Sequence, residues 1–454
     1  MKWLFKPGRQ PLTEGNILAA VGRLATPMLI GAVLQNIQSL IDLFWVGSLG
    51  SPAVASVAMA GTILMVLFPM LMGLAMGTVA LVARCVGAGR LEEASAVAGQ
   101  SLMLALILGG LSAIAGWYAS DPLFRLLRAA PEVVGAGGVF LRISLLGSFT
   151  MFVLFIGNAA LQGAGDTITP MQIMAISNVL NIVLEPIFIF GWGPMSGMGV
   201  RGAALATVLA QAAAAGVSVY VLFKGRARLH IRWTHWKPNP NLAWRILRIG
   251  IPGSGQMLSR SLTGAVLMGI VAGCGTAAVA AYGIGLRFHM IILMPAFALG
   301  GAAATLVGQN LGAGQPERAN RAAWVTALLG IGFMALTAVI LMGTAPALVR
   351  VFNSEPEVVQ IGAQYLRTVS PFYVFAALAI ALGRALNGAG DSLAPMICTV
   401  LALWGLQVPL AILLSRVWNP PTQGIWWAIV IAMTVHGLLV AKWFQTGRWR
   451  RQRV

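Results

Sequence analysis

The sequence predicts an all-α membrane protein with twelve transmembrane helices in two parallel six-helix repeats around a central cleft, both termini cytoplasmic. Three observations carry this. Of 454 residues, 58% are hydrophobic and only 9% charged, against roughly 25% charged in a soluble domain. Apolar runs of about 20 residues, enough to cross a bilayer, recur along the whole chain. Short motifs also return at one constant offset. Gly163-Ala164-Gly165-Asp166 recurs as Gly388-Ala389-Gly390-Asp391, and Pro131-Glu132-Val133-Val134 as Pro356-Glu357-Val358-Val359, each 225 positions on.

The first six spans are expected at roughly 20–45, 53–80, 95–118, 137–160, 169–191 and 202–223. A polar, basic stretch from Lys224 to Trp244 follows, with Arg226, Arg228, Arg232, Lys237 and the Pro238-Asn239-Pro240 breaker. Six more spans are expected at roughly 247–272, 277–306, 320–343, 360–384, 394–415 and 425–444. The expected organisation is an N-terminal bundle (1–223), a cytoplasmic linker (224–244) and a C-terminal bundle (245–454).

Orientation follows from charge. With both ends inside, cytoplasmic segments hold Lys2, Lys6, Arg9, Arg23, Arg84, Arg90, the linker cluster, Arg245, Arg248, Arg318, Arg321, Arg384, Lys442 and the tail arginines, while external ones hold only Arg125, Arg128, Arg201, Arg350 and Arg416. The offset persists in Leu141-Arg142 and Leu366-Arg367, Pro170-Met171 and Pro395-Met396, and Pro27 and Pro252. A register kept over this length marks duplication. Six helices per copy bring both copies in from one side, so the repeats are parallel, and rocking them about a central cleft gives alternating access.

A carboxylate inside a membrane span costs roughly 2.5–3.5 kcal/mol on insertion scales and marks a functional site. Asp42 is such a group. Gln35, Ser39 and Asp42 lie at i, i+4 and i+7 with Gln38 beside them, so one face of the first helix is polar. In the fifth helix Asn178, Asn181 and Glu185 lie at i, i+3 and i+7. Pro186 cannot donate to the carbonyl of Ile182, which leaves another oxygen near that face, and Pro27 interrupts the first helix in the same way, where a hinge is expected. Carboxylate, amide and carbonyl oxygens suit a hard cation such as Na⁺ at Asp42, Asn181 and Glu185. The same carboxylates could instead carry H⁺.

The repeat supplies a control. At the offset of 225, Asp42 corresponds to Leu267, Asn158 to Gly383, Asn178 to Leu403, Asn181 to Leu406 and Glu185 to Leu410. The second copy keeps the scaffold without this polar set, so the set serves something other than the fold. The second half instead places Arg260, Arg287 and His289 inside expected spans, as counter-ions to the acids or as ligands for an anionic substrate group.

The chain resembles the multidrug and toxic compound extrusion (MATE) family, within the larger group that includes flippases of lipid-linked oligosaccharides. The resemblance spans nearly the full length. It rests on Leu12-Thr13-Glu14-Gly15-Asn16, the Pro27 to Asp42 stretch with Leu43-Phe44-Trp45-Val46-Gly47, Val86-Gly87-Ala88-Gly89-Arg90, Gly308-Gln309-Asn310-Leu311-Gly312-Ala313-Gly314 and both Gly-Ala-Gly-Asp turns. It implies efflux of organic, often cationic, compounds driven by inward H⁺ or Na⁺. The DinF-like branch, to which the chain is more similar, has its ion site in the N-terminal half, at positions matching Asp42, Asn181 and Glu185, with Asn158 as a further polar member. That branch carries Asp on the fifth helix. Glu185 is one methylene longer, and the choice of ion stays open.

The expected function is therefore a secondary multidrug antiporter, with a flippase or exporter of a lipid-linked or anionic amphipathic metabolite as the alternative. The formal charge of +18 fits basic residues at the cytoplasmic ends of helices, so no nucleic-acid partner is expected. No Gly-Lys pair occurs, so this chain has no ATPase motif of the P-loop kind, and nothing marks an enzyme. The expected partners are small organic molecules and the bilayer, with no cofactor beyond the coupling ion. A monomer in a bacterial inner membrane is expected.

Overall fold

The computed structural model describes residues 11–127, 130–193, 195–225 and 228–452. The basic residues Lys2, Lys6, Arg9, Arg128, Arg226 and Arg453 lie outside them. The protein is almost wholly helical, with one two-residue β pairing at Gly191–Trp192 and Met195–Ser196. Among the described residues ten helices are long and apolar enough to cross a membrane, or eleven when the bent pair Pro131–Leu146 and Ser148–Gly163 counts as one span. The chain is a multi-pass membrane protein.

The N-terminal helices are α1 (Ile17–Gly47), α2 (Ser51–Leu64), α3 (Leu67–Gly87), α4 (Leu91–Leu126), α5 (Pro131–Leu146), α6 (Ser148–Gly163), α7 (Ile168–Phe190) and α8 (Val200–Phe223). The C-terminal helices are α9 (Pro240–Ala272), α10 (Thr276–Gly312), α11 (Pro316–Arg350), α12 (Pro356–Val369), α13 (Tyr373–Ala389), α14 (Leu393–Val400), α15 (Val408–Val417) and α16 (Pro421–Gln445). The spans expected at 53–80 and 137–160 are each broken in two, at Met65–Val66 and at Gly147, where the chain bends by 45°. Between α14 and α15 the helix widens into a π-helical stretch, Leu401–Gln407.

Helix starts keep the offset of 225: 51 and 276, 91 and 316, 131 and 356, 168 and 393. Packing pairs follow. α3, α4 and α6 pack on one another, as do α10, α11 and α13, and α8 packs on α6 as α16 does on α13. The Gly-Ala-Gly-Asp elements show why. A Cβ on Gly163 would stand 3.0 Å from the Val79 carbonyl oxygen, and one on Gly388 would collide with the backbone of Ala304, the residue 225 positions after Val79. Each glycine therefore allows two helix backbones to approach. The aspartates cap the next helix. Asp166 accepts from Thr169 N (3.0 Å), and Asp391 accepts from Ala394 N (3.3 Å) and Trp443 Nε1 (3.1 Å).

The chain divides into two compact units that differ from the sequence halves. One holds Thr26–Ile251, and the other holds Leu12–Ala25 with Pro252 onward. Leu12, Val21 and Leu24 pack with Ala302, Leu306 and Ala322, so the first turns of α1 belong to the second unit. The chain crosses at Ala25–Thr26, beside Pro27, and at Ile251–Pro252, and Pro27 and Pro252 are the pair related by 225. The polar connection is docked within the first unit. Gln100 of α4 donates to the carbonyls of His235 and Lys237 (both 2.8 Å) and accepts from Asn239 N, while Glu93 pairs with Arg245 at 3.1 Å.

Candidate functional site

In α7 the residues Asn178, Asn181 and Glu185 are 4%, 0% and 1% exposed, whereas Val179 and Val183 on the other side are 61% and 53% exposed. In α1 Gln38 is buried, while Leu40, Leu43 and Phe44 are exposed. Apolar side chains outward and polar ones inward is the arrangement a helix needs in lipid.

Two contacts join these helices. Asn178 Nδ2 donates to the Leu34 carbonyl at 2.7 Å. Two turns further along both helices, the carboxyl groups of Asp42 and Glu185 are in hydrogen-bonding contact. Because residue numbers rise together, α1 and α7 run side by side in the same direction. Two carboxylates at that range repel unless a proton or a cation lies between them. The site is also rich in acceptors. Asp42 Oδ1, Asn178 Oδ1, Asn181 Oδ1 and Glu185 Oε2 are buried with no donor, as is Asn158 Oδ1 on α6. A donor-poor set of carboxylate and amide oxygens is the chemistry of a proton or hard-cation site. Among the described residues no three His, Cys, Asp or Glu gather as a metal site.

Gln35 is half-buried, and Ser39 is exposed with its hydroxyl satisfied by the Gln35 carbonyl at 3.2 Å. Asn158 is half-buried, and no hydrogen bond joins it to Asp42 or Glu185. Pro27 is buried, and Pro186 follows Glu185 within α7. Arg260, Arg287 and His289 belong to the second unit. There Arg260 and His289 are half-buried, His289 Nδ1 lies 3.2 Å from the Tyr373 hydroxyl, and Arg287 is exposed.

Sequence reading missed Thr207. On α8 its hydroxyl donates to the Ala203 carbonyl (3.0 Å) and accepts from Asn181 Nδ2 (3.2 Å). This fixes the amide so that Asn181 Oδ1 is left as the acceptor. The available signal was a hydroxyl in an alanine-rich stretch, one turn before Gln211. Thr207→Val keeps the shape and removes this bond, worth about 1 kcal/mol. The concentration of coupling ion giving half-maximal efflux is expected to rise about fivefold. An unchanged ion titration would remove Thr207 from the site.

The MatE family model matches twice, over residues 27–187 and 252–413. A probable multidrug resistance protein NorM of Thermotoga maritima is 29% identical over 437 residues, covering 95% of this chain and 93% of that protein. A FAD transporter of Shewanella oneidensis is 28% identical over 410 residues, covering 89% and 90%. Among solved structures, a MATE protein in its bent conformation superposes with a TM-score of 0.90 at 29% identity, covering 96% of each chain.

Proposed function

This chain belongs to the MatE family of transporters, and from that membership we propose that it is a secondary active multidrug antiporter, exporting organic amphipathic compounds in exchange for H⁺ or Na⁺ by alternating access. It is a transporter and not an enzyme. The observation that carries the coupling is the Asp42–Glu185 pair of α1 and α7, Glu185 buried and Asp42 half-buried, among buried acceptor oxygens with no donor.

An ion arriving from outside binds at Asp42, Glu185 and Asn181, with Asn178 and Thr207 holding the helices and the amide in place. Its positive charge removes the repulsion between the carboxylates. α1 then pivots at Pro27, which stands beside the point where the chain passes from one compact unit to the other. The pivot reshapes the cavity and expels the substrate, and release of the ion to the cytoplasm resets the site. Coupling requires the ion to bind the two conformations with different affinity. The matched helix starts and the double family match support two repeats in the chain; twelve spans, cytoplasmic termini, a bacterial inner membrane and a monomer complete the proposal.

The acidic site and the family favour cationic substrates. A second reading, export of an anionic amphipath, is favoured by Arg260 and Arg384 of the second unit, which form no ion pair with a carboxylate among the described residues, and by the related FAD transporter. The test is transport in proteoliposomes under an imposed pH gradient and, separately, a Na⁺ gradient. Movement of a fluorescent organic cation under one gradient, collapsed by the matching ionophore, is expected. If neither gradient moves an organic cation or an organic anion in folded protein, ion-coupled export is wrong.

A further inference from the structure

The second unit holds a half-buried group of basic side chains. One turn before Arg260 on α9, Gln256 meets Thr399, which in turn meets His436 of α16, and His289 of α10 and Arg384 of α13 lie within electrostatic reach of Arg260. Arg260 Nε is buried and has no hydrogen-bond partner. The Arg384 guanidinium lies 6.0 Å from the centre of the Phe297 ring. The histidines are held by neutral groups: His289 by the Tyr373 hydroxyl, and His436 Nε2 by the Thr399 hydroxyl at 3.1 Å, which Gln256 Nε2 also reaches at 3.1 Å.

No acid answers them. The carboxylates of this unit are Glu14, Glu317, Glu355, Glu357 and Asp391. Glu317 pairs with Arg450, Asp391 caps α14, and Glu355 and Glu357 stand at the start of α12. None forms an ion pair with Arg260 or Arg384 among the described residues. Arg260, in the middle of α9, would cost roughly 2.5–3.5 kcal/mol on insertion scales, and Arg384, near the end of α13, adds repulsion.

The internal repeat shows that the fold does not require the group. At the offset of 225, Arg260 corresponds to Gln35, His289 to Leu64, Arg384 to Ala159 and His436 to Gln211. The first copy builds the same helices without any of these charges, as the second copy does without Asp42 and Glu185.

We infer that Arg260 and Arg384, with His289 and His436 beside them, form an anion-binding site for a single phosphate, sulfonate or carboxylate group on an apolar body, supplied by a dissolved amphipath or by a lipid headgroup. Guanidinium groups bind such oxyanions through paired N–H donors. Phe297 and Tyr373 supply apolar surface for the attached body. The role in export rests on the transporter reading above, but binding does not.

The test uses purified full-length protein in phosphatidylcholine nanodiscs with no gradient. The fluorescent probes are riboflavin and riboflavin 5′-phosphate, which differ by one phosphate. Fluorescence anisotropy is expected to show the phosphate form binding at least about tenfold more tightly, the scale of one charge-assisted contact pair. Arg260→Gln and Arg384→Gln should each abolish that preference and leave riboflavin unchanged. Arg260→Lys, a milder variant, should retain part of it. In a second arm, nanodiscs are doped with phosphatidylglycerol and examined by native mass spectrometry. Retained lipid that is lost in Arg260→Gln identifies a headgroup as the ligand. Preference for the soluble phosphate with no retained lipid identifies a dissolved amphipath. If the native protein shows neither preference nor retention, or if both survive in Arg260→Gln and Arg384→Gln, the inference is overturned. Its failure would leave ion-driven export through Asp42 standing, and failed export would leave the binding result standing.

Discussion

Asp42→Asn is expected to reduce ion-driven efflux by about 5–150-fold, the range set by a coupling free energy of roughly 1–3 kcal/mol. Asparagine keeps the size of the side chain and one acceptor oxygen but can carry neither charge nor an exchangeable proton. Position 42 then stays neutral whatever the gradient, and α1 loses the signal that distinguishes its two states. Substrate binding should survive, because the mutation removes coupling and not the cavity. The measurement is gradient-driven movement of a fluorescent organic cation in proteoliposomes, with equilibrium binding of the same cation measured alongside. Unimpaired efflux in a folded Asp42→Asn protein would take the coupling role away from this residue. Equal loss of binding and efflux would instead mean that Asp42 contacts the substrate.

Glu185→Gln should cause a loss of similar size through a different route. Glu185 is almost fully buried, and its carboxyl meets that of Asp42. With Gln in place, the two-carboxylate repulsion is gone in both states, so ion binding no longer relieves anything. The amide can also donate to Asp42 and occupy the acceptor that the ion would use. If the ion is Na⁺, half-maximal efflux should need at least about tenfold more Na⁺, since a carboxylate ligand is lost. If the ion is H⁺, the variant should show a shallower dependence on external pH, because one of two coupled proton acceptors is absent. Glu185→Asp tests geometry: one methylene shorter, it keeps the charge and should weaken the contact with Asp42. Native ion dependence in Glu185→Gln would leave Asp42 to act without this partner.

The π-helical stretch Leu401–Gln407 occupies the positions in the second repeat that correspond to 176–182 in α7. In the first unit that stretch carries Asn178 and Asn181 on a regular α-helix, and the site depends on regular spacing there. The two copies have thus diverged in backbone as well as in side chains.

Much of this was legible in the sequence. The apolar spans, the repeat register and the polar faces of α1 and α7 are local properties, set by the 3.6-residue helical period and by the cost of charge in lipid. Asp42 and Glu185 stood out because each is a carboxylate in an apolar helix whose repeat counterpart is leucine. What the tertiary structure decided is which helices meet. It brought Glu185 to Asp42, tied Asn178 to Leu34, and set Thr207 behind Asn181. It assigned the first turns of α1 to the second unit, with the crossing beside Pro27. It also gathered Arg384 and His436 around Arg260 from helices far apart in the chain. The physical reason is one of range: periodicity fixes the face a residue occupies on its own helix, but partners across helices are fixed by packing between segments distant in the chain, from 26 residues apart for Asn181 and Thr207 to 144 for Asn178 and Leu34.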